Sequence, residues 1–124
     1  MTVIYNRKAK DAVLHFNATG TANLIGNSSV STIAANNEVI SAAPIRRVWF
    51  GVSGTNTWTI TRGGQTILVL SQTGFLDFAG AGAAINYYAN SDITATLSGG
   101  SGFIMLEVSK EGYLPQYSNP QPPQ

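Results

Sequence analysis

Between residues 57 and 70 the chain reads TWTITRGGQTILVL. Thr57, Thr59 and Thr61 alternate with Trp58, Ile60 and Arg62, the period-two signature of a strand with one buried face. Gly63-Gly64 follows and supplies the positive φ that both central positions of a type I′ turn require. Such a loop sets Arg62 opposite Gln65, Ile60 opposite Ile67 and Trp58 opposite Val69. On that register Trp58, Ile60, Ile67 and Val69 form the core face, and Leu68 and Leu70 fall on the threonine face. The two leucines then need cover. It comes either from another segment, such as residues 20–44, or from a second copy or a different partner. Phe103 and Met105 raise the same question, because they alternate with Ile104, Leu106 and Val108 on what should be the outer face of their strand.

The rest of the chain repeats the strand-and-turn rhythm. Candidate strands run over 12–17, 21–25, 38–42, 45–52, 75–79 and 84–89. Ile93, Ala95 and Leu97 alternate with Thr94 and Thr96, and the SGGSG stretch at 98–102 then leads into Ile104, so a second hairpin is expected there. Helical periodicity is scarce; residues 9–16 fit about two helical turns or a strand equally well. Short, evenly spaced strands without helical crossovers predict an all-β antiparallel β-sandwich, jelly-roll-like. The ends read differently. Residues 1–11 hold Arg7, Lys8 and Lys10, and residues 111–124 hold four of the five prolines. Both are expected as extended arms on a body spanning 12–110. Arg7, Lys8, Lys10, Tyr113 and Tyr117 are the arm residues expected to meet a neighbouring subunit.

Composition narrows the function. Only 10% of residues are Asp, Glu, Lys or Arg, and the net charge is +1, against an average charged fraction of about 25%. A nucleic-acid partner is not expected, since phosphate binding scales with basic charge. No apolar run reaches the roughly 18–20 residues of a membrane span, and the N-terminus has no signal-like apolar stretch. A nearly neutral, polar surface repels its own copies weakly, which suits assembly.

Chemistry is sparse. There is no cysteine and one histidine, His15, so metal and cofactor sites are not expected. Asp77, in GFLDF, is the carboxylate to weigh for acid–base work; a role facing solvent or capping a turn is the simpler reading. AGAG at 79–82 lacks the third glycine of a dinucleotide fingerprint. Tyr87-Tyr88 straddles both faces of its segment and could present a ring to a sugar.

Taken in order, HFNATGTANLIGNSSVS (15–31), Glu38-Val39-Ile40, IRRVWFG (45–51), the Trp58-to-Leu70 hairpin, Leu76-Asp77-Phe78 and the closing IMLEVSK (104–110) resemble small β-sandwich structural proteins of tailed bacteriophages. The shared pattern is W-x-I-x-R-G, then an L/M-D-F segment, then a last strand ending E-V/L-x-K. It covers roughly residues 12–110 and consists of packing and turn residues. The resemblance implies a non-enzymatic virion component made in the host bacterial cytoplasm. Its expected place is the phage head surface, as a capsid decoration or cement protein on the major coat lattice. It also implies a homo-oligomer, by class a trimer, with Leu68, Leu70, Phe103 and Met105 partly in contact surfaces. The alternative is a tail, fibre or head-attached host-recognition module that binds carbohydrate.

Overall fold

The computed structural model describes residues 1–80 and 84–113, Tyr113 by its backbone alone. The strands are β1 (Thr2–Arg7), β2 (Asp11–Phe16), β3 (Gly20–Ala22), β4 (Gly26–Asn27), β5 (Val39–Ala42) and β6 (Ile45–Val52) in the first half. They continue as β7 (Thr57–Arg62), β8 (Gln65–Ser71), β9 (Thr73–Asp77), β10 (Ile93–Leu97), β11 (Gly102–Ser109) and β12 (Glu111–Tyr113). A five-stranded sheet runs β1-β2-β11-β6-β9, a four-stranded sheet runs β3-β10-β7-β8, and a small sheet runs β12-β5-β4. Every pairing is antiparallel. The sheets pack against each other, and the fold is an all-β sandwich, as the alternation predicts.

Alternation builds the core. β2 buries Ala12, Leu14 and Phe16, and β11 buries Ile104, Leu106 and Val108. The facing sheet contributes Trp58, Ile60, Ile93 and Ala95. Each large side chain enclosed in this way is worth about 1.5–3 kcal/mol in transfer terms. Trp58 also crosses between the sheets: its indole N–H donates to the Gly51 carbonyl at 3.2 Å, so its one polar atom is satisfied.

The β7–β8 hairpin corrects the expected register. Gly63 and Gly64 have φ of 56° and 77°, as a type I′ turn requires, and Arg62 does face Gln65. Beyond Thr61–Thr66 the pairing slips by one, so that Ile60 faces Leu68 and Trp58 faces Leu70. Ile67 is the extra residue of a β-bulge. A one-residue slip turns every later side chain over. Leu70 therefore lies in the core, Leu68 packs against it, and Val69 is 62% exposed. The sequence reading had these faces reversed: Leu70 is buried in the core and Leu68 is partly buried against it. The threonine face survives: Thr21, Thr94, Thr61 and Thr66 stand in one row across the four-stranded sheet.

Three further expectations change. β10 and β11 are not a hairpin. β10 pairs with β3 and β7, whereas β11 pairs with β2 and β6, so the glycine-rich link carries the chain from one sheet to the other. Residues 84–89 are not a strand; Ile85 makes an isolated bridge to Ile45. This segment is held instead by Arg62, which points inward at the end of β7 and is 1% exposed. Its Nη1 donates to the Ala43 carbonyl at 2.7 Å and its Nη2 to the Ala89 carbonyl at 2.9 Å. Ser91 accepts from Nη2 and Nε at 2.7 and 3.0 Å. Finally, residues 2–7 are not a free arm but the edge strand β1. The tail expected over 111–124 begins with β12, and the remainder lies outside the described residues.

A buried ion pair closes one side of the body. Lys110 Nζ lies 3.0 Å from Glu38 Oε1, with both side chains almost fully enclosed. The Ala35 amide donates to Glu38 Oε1 at 2.9 Å and the Ala9 amide to Oε2 at 2.6 Å. One carboxylate thus joins the β1–β2 turn, the turn before β5 and the end of β11.

Candidate functional site

Because Leu14, Leu106, Val48 and Leu76 point into the sandwich, their neighbours point out. Cross-strand partners share a face. The outer face of the five-stranded sheet therefore carries a row running Thr2, His15, Met105, Trp49 and Phe75. Trp49 and Phe75 stack with ring centroids 5.3 Å apart and planes 26° apart. Phe103 lies one step along, opposite Gly51. A Cβ at residue 51 would come within 2.7 Å of the Phe103 ring, so glycine there lets the ring lie against the sheet. Phe75 is 50% exposed and Phe103 is 38% exposed; Met105, Trp49 and His15 are half-buried.

On the other side of the aromatic row runs a charged one, through Glu107, Arg47 and Asp77. Arg47 Nη1 donates to Glu107 Oε2 at 2.6 Å, and its Nε lies 3.3 Å from Asp77 Oδ1. A bulge between Glu107 and Val108 leaves Arg46 as an extra residue. Its Nε approaches the same Glu107 oxygen at 3.4 Å. Two arginines and two carboxylates balance in charge. Being half-exposed, these pairs add little to stability, on the order of 0–1 kcal/mol each. They do fix the side chains in place beside the rings. Rigid aromatics with a polar rim have the composition of a protein-binding surface.

The structure gathers some of the expected residues and scatters others. Phe103 and Met105 belong to this face, and His15 stands beside Met105. Leu70 is buried in the core, and Leu68 is half-buried against it. Arg7 pairs with Asp11 at 2.8 Å, while Lys8 and Lys10 are exposed in the turn between β1 and β2. The Tyr113 side chain and Tyr117 lie outside the described residues. Asp77 caps a turn, accepting from the Gly80 amide at 2.6 Å. Phe75, Arg47 and Glu107 were missed as site residues, and the sequence reading offers Trp49 only as one of several aromatics for a sugar platform. The signal was present in Val48-Trp49-Phe50, an apolar run on both faces of a strand, like that at 67–70.

Two other places were candidates for ligands. Tyr87 and Tyr88 meet edge to face with centroids 4.5 Å apart and are 59% and 39% exposed. They sit at the hairpin tip, where the Tyr88 ring lies over Gly63. A polar depression of about 280 Å³ is lined by Asn27, Ser28, Ser29, Asn37, Glu38 and Val39. Both Glu38 oxygens there are already taken by Ala9, Ala35 and Lys110. Among the described residues, no three His, Asp or Glu side chains converge as a metal site would need. No family model, curated protein or solved structure matches this chain.

Proposed function

We propose that this protein is a non-enzymatic virion structural protein, a capsid decoration protein that docks on the coat lattice of a tailed phage through the outer face of its five-stranded sheet. The observation that carries the reading is the row of Met105, Trp49 and Phe75, with Phe103 beside it, on a face that no other described strand covers. Fully burying a side chain of this size contributes about 1.5–3 kcal/mol. A few such anchors can dominate a contact of ordinary size. The neutral ion-paired rim suits a protein partner and gives no field to draw a polyanion. The resemblance of the W-x-I-x-R-G hairpin and the closing E-V-x-K strand to phage sandwich proteins supports the same reading. Homotrimeric assembly on the lattice belongs to this proposal.

Phe75→Ser and Phe103→Ser test it. Neither side chain is in the core, so both variants should unfold within a few degrees of the parent. Purified parent protein should co-sediment with coat shells that lack it, and each variant should bind at least tenfold more weakly. Equal binding by the variants overturns the docking face. Failure of the parent to bind shells, with the protein found only on tails, overturns the decoration role.

A second reading, a carbohydrate-binding attachment module, is favoured by the exposed Tyr87–Tyr88 pair. It is less well served by Trp49 and Phe75, since each gives one ring face to the other and has only one left for a sugar. Glycan binding that disappears in Tyr87→Ala would establish it.

A further inference from the structure

We propose that β1 is an exchangeable strand, and that copies of this chain assemble by each placing its β1 against the β2 of a neighbour. Among the described residues β1 is an edge strand that pairs with β2 alone. Of its six residues, Val3 alone is partly buried, and the other five are exposed. β2, by contrast, buries every second side chain in the core. The body therefore has a complete inner strand whose outer edge is covered by a segment that contributes little else. A second copy offers the same segment, with the same register and the same Arg7 to meet Asp11.

The connection between the two strands is suited to opening. Lys8, Ala9 and Lys10 make the turn, closed by the Lys10 amide donating to the Arg7 carbonyl at 3.2 Å. Ala9 has φ of 59°, a left-handed conformation that a side chain with a Cβ resists. In the exchanged form β1 and β2 run on as one extended segment and Ala9 leaves that conformation. Short, strained hinges favour exchange over folding back. The opposing terms are the bond from the Ala9 amide to Glu38 and the Lys10–Arg7 bond of the turn, both lost when the turn opens. The β1–β2 hydrogen bonds are kept in number, because each is remade between copies. The balance then depends on protein concentration, and a lattice that gathers copies raises it locally. This inference is independent of what the outer sheet face binds.

The chain contains no cysteine, which makes the test direct. Tyr5 and Val13 are opposite each other on the outer face, at a separation that suits a disulfide. Equal amounts of full-length Tyr5→Cys and Val13→Cys are unfolded, refolded together at high micromolar concentration and oxidised. Exchange predicts mixed dimers joined between residues 5 and 13, identified by peptide mass, and at least tenfold fewer of them after refolding at hundredfold dilution. Light scattering should show the parent as an oligomer at the higher concentration. Deleting residues 8–10 removes the turn and should leave soluble oligomers only. The proposal is overturned by a parent that stays monomeric at high concentration, by oligomers without the 5–13 link, or by a soluble monomer of the deletion variant.

Discussion

Arg62→Met should lower folding stability by about 3–5 kcal/mol, the scale for removing one member of a buried polar set. Methionine fills much of the same volume but donates nothing. The carbonyls of Ala43, Ala89 and Ser91 would each lose a donor; Ala89 keeps the Ala43 amide at 2.9 Å, but the buried Ala43 carbonyl would be left unpaired, at a cost of about 1–3 kcal/mol. The Ser91 contacts lie nearer the surface, where water can replace part of what is lost. Burial pushes the Arg62 guanidinium down to about 10, with Asp92 opposing, so it stays cationic at neutral pH. Its contribution should be constant from pH 6 to 8. Arg62→Lys keeps the charge but cannot reach three carbonyls from a single ammonium group; it should recover less than half of the loss. Urea unfolding measures both. Hydrogen exchange should show the amides of Ala89 and Ser91 opening first. A loss under about 1 kcal/mol for the methionine variant would contradict the role assigned to this side chain.

The second large effect is expected at the Glu38–Lys110 pair. Lys110→Met leaves an enclosed carboxylate, and Glu38→Gln leaves an enclosed ammonium group. Each should cost about 3–5 kcal/mol. The double variant should cost clearly less than the two losses added together, because neither charge is then stranded. The pair also sets a pH dependence. Burial pushes the Glu38 carboxyl up, but the Ala35 amide, the Lys110 ammonium and the Ala9 amide outweigh it and hold it below the usual glutamate range. A carboxyl lowered by folding stabilises fully above its unfolded value, about 4.3. That stabilisation is lost as pH falls through the lower, folded value. Stability should be level from pH 7 to about 5 and decline below about 4.3. Asp11, lowered mainly by its hydrogen bonds from Arg7, acts in the same direction but more weakly, since Arg7 is exposed. Glu38→Gln should flatten this acid limb; an unchanged limb would show that other carboxyls set it.

Strand content was legible because it rests on local alternation. Ile104, Leu106 and Val108 against Phe103, Met105 and Glu107 could be read without any knowledge of partners. Partnership was not legible. The stretch from Ile93 to Val108 looks the same whether the glycine-rich link closes a hairpin or changes sheets, because both strands still turn one face inward. Register failed for a sharper reason. The Gly63-Gly64 turn fixes the first pairs, but the bulge at Ile67 depends on what the rest of the core accepts. There Leu68 and Leu70 fit beside Ile60 and Trp58, while β-branched Val69 tolerates an exposed edge. The aromatic face was half legible. Phe103 and Met105 were singled out by an excess of apolar residues, and the same test applied to Val48-Trp49-Phe50 finds Trp49. Phe75, by contrast, joins them only through the β6–β9 pairing.

The bulge in β8 has a bearing on solubility as well. Thr66 to Leu70 is uncharged, rich in β-branched residues and free of proline, the composition that stacks into cross-β fibrils when a flat edge is offered. β8 is such an edge. The inserted Ile67 breaks its ladder and increases its local twist, which spoils it as a template for a second molecule. One residue thereby turns Leu68 and Leu70 toward the core and leaves a disrupted border toward the solvent, so this fibril-prone segment is a poor template for recruiting further copies.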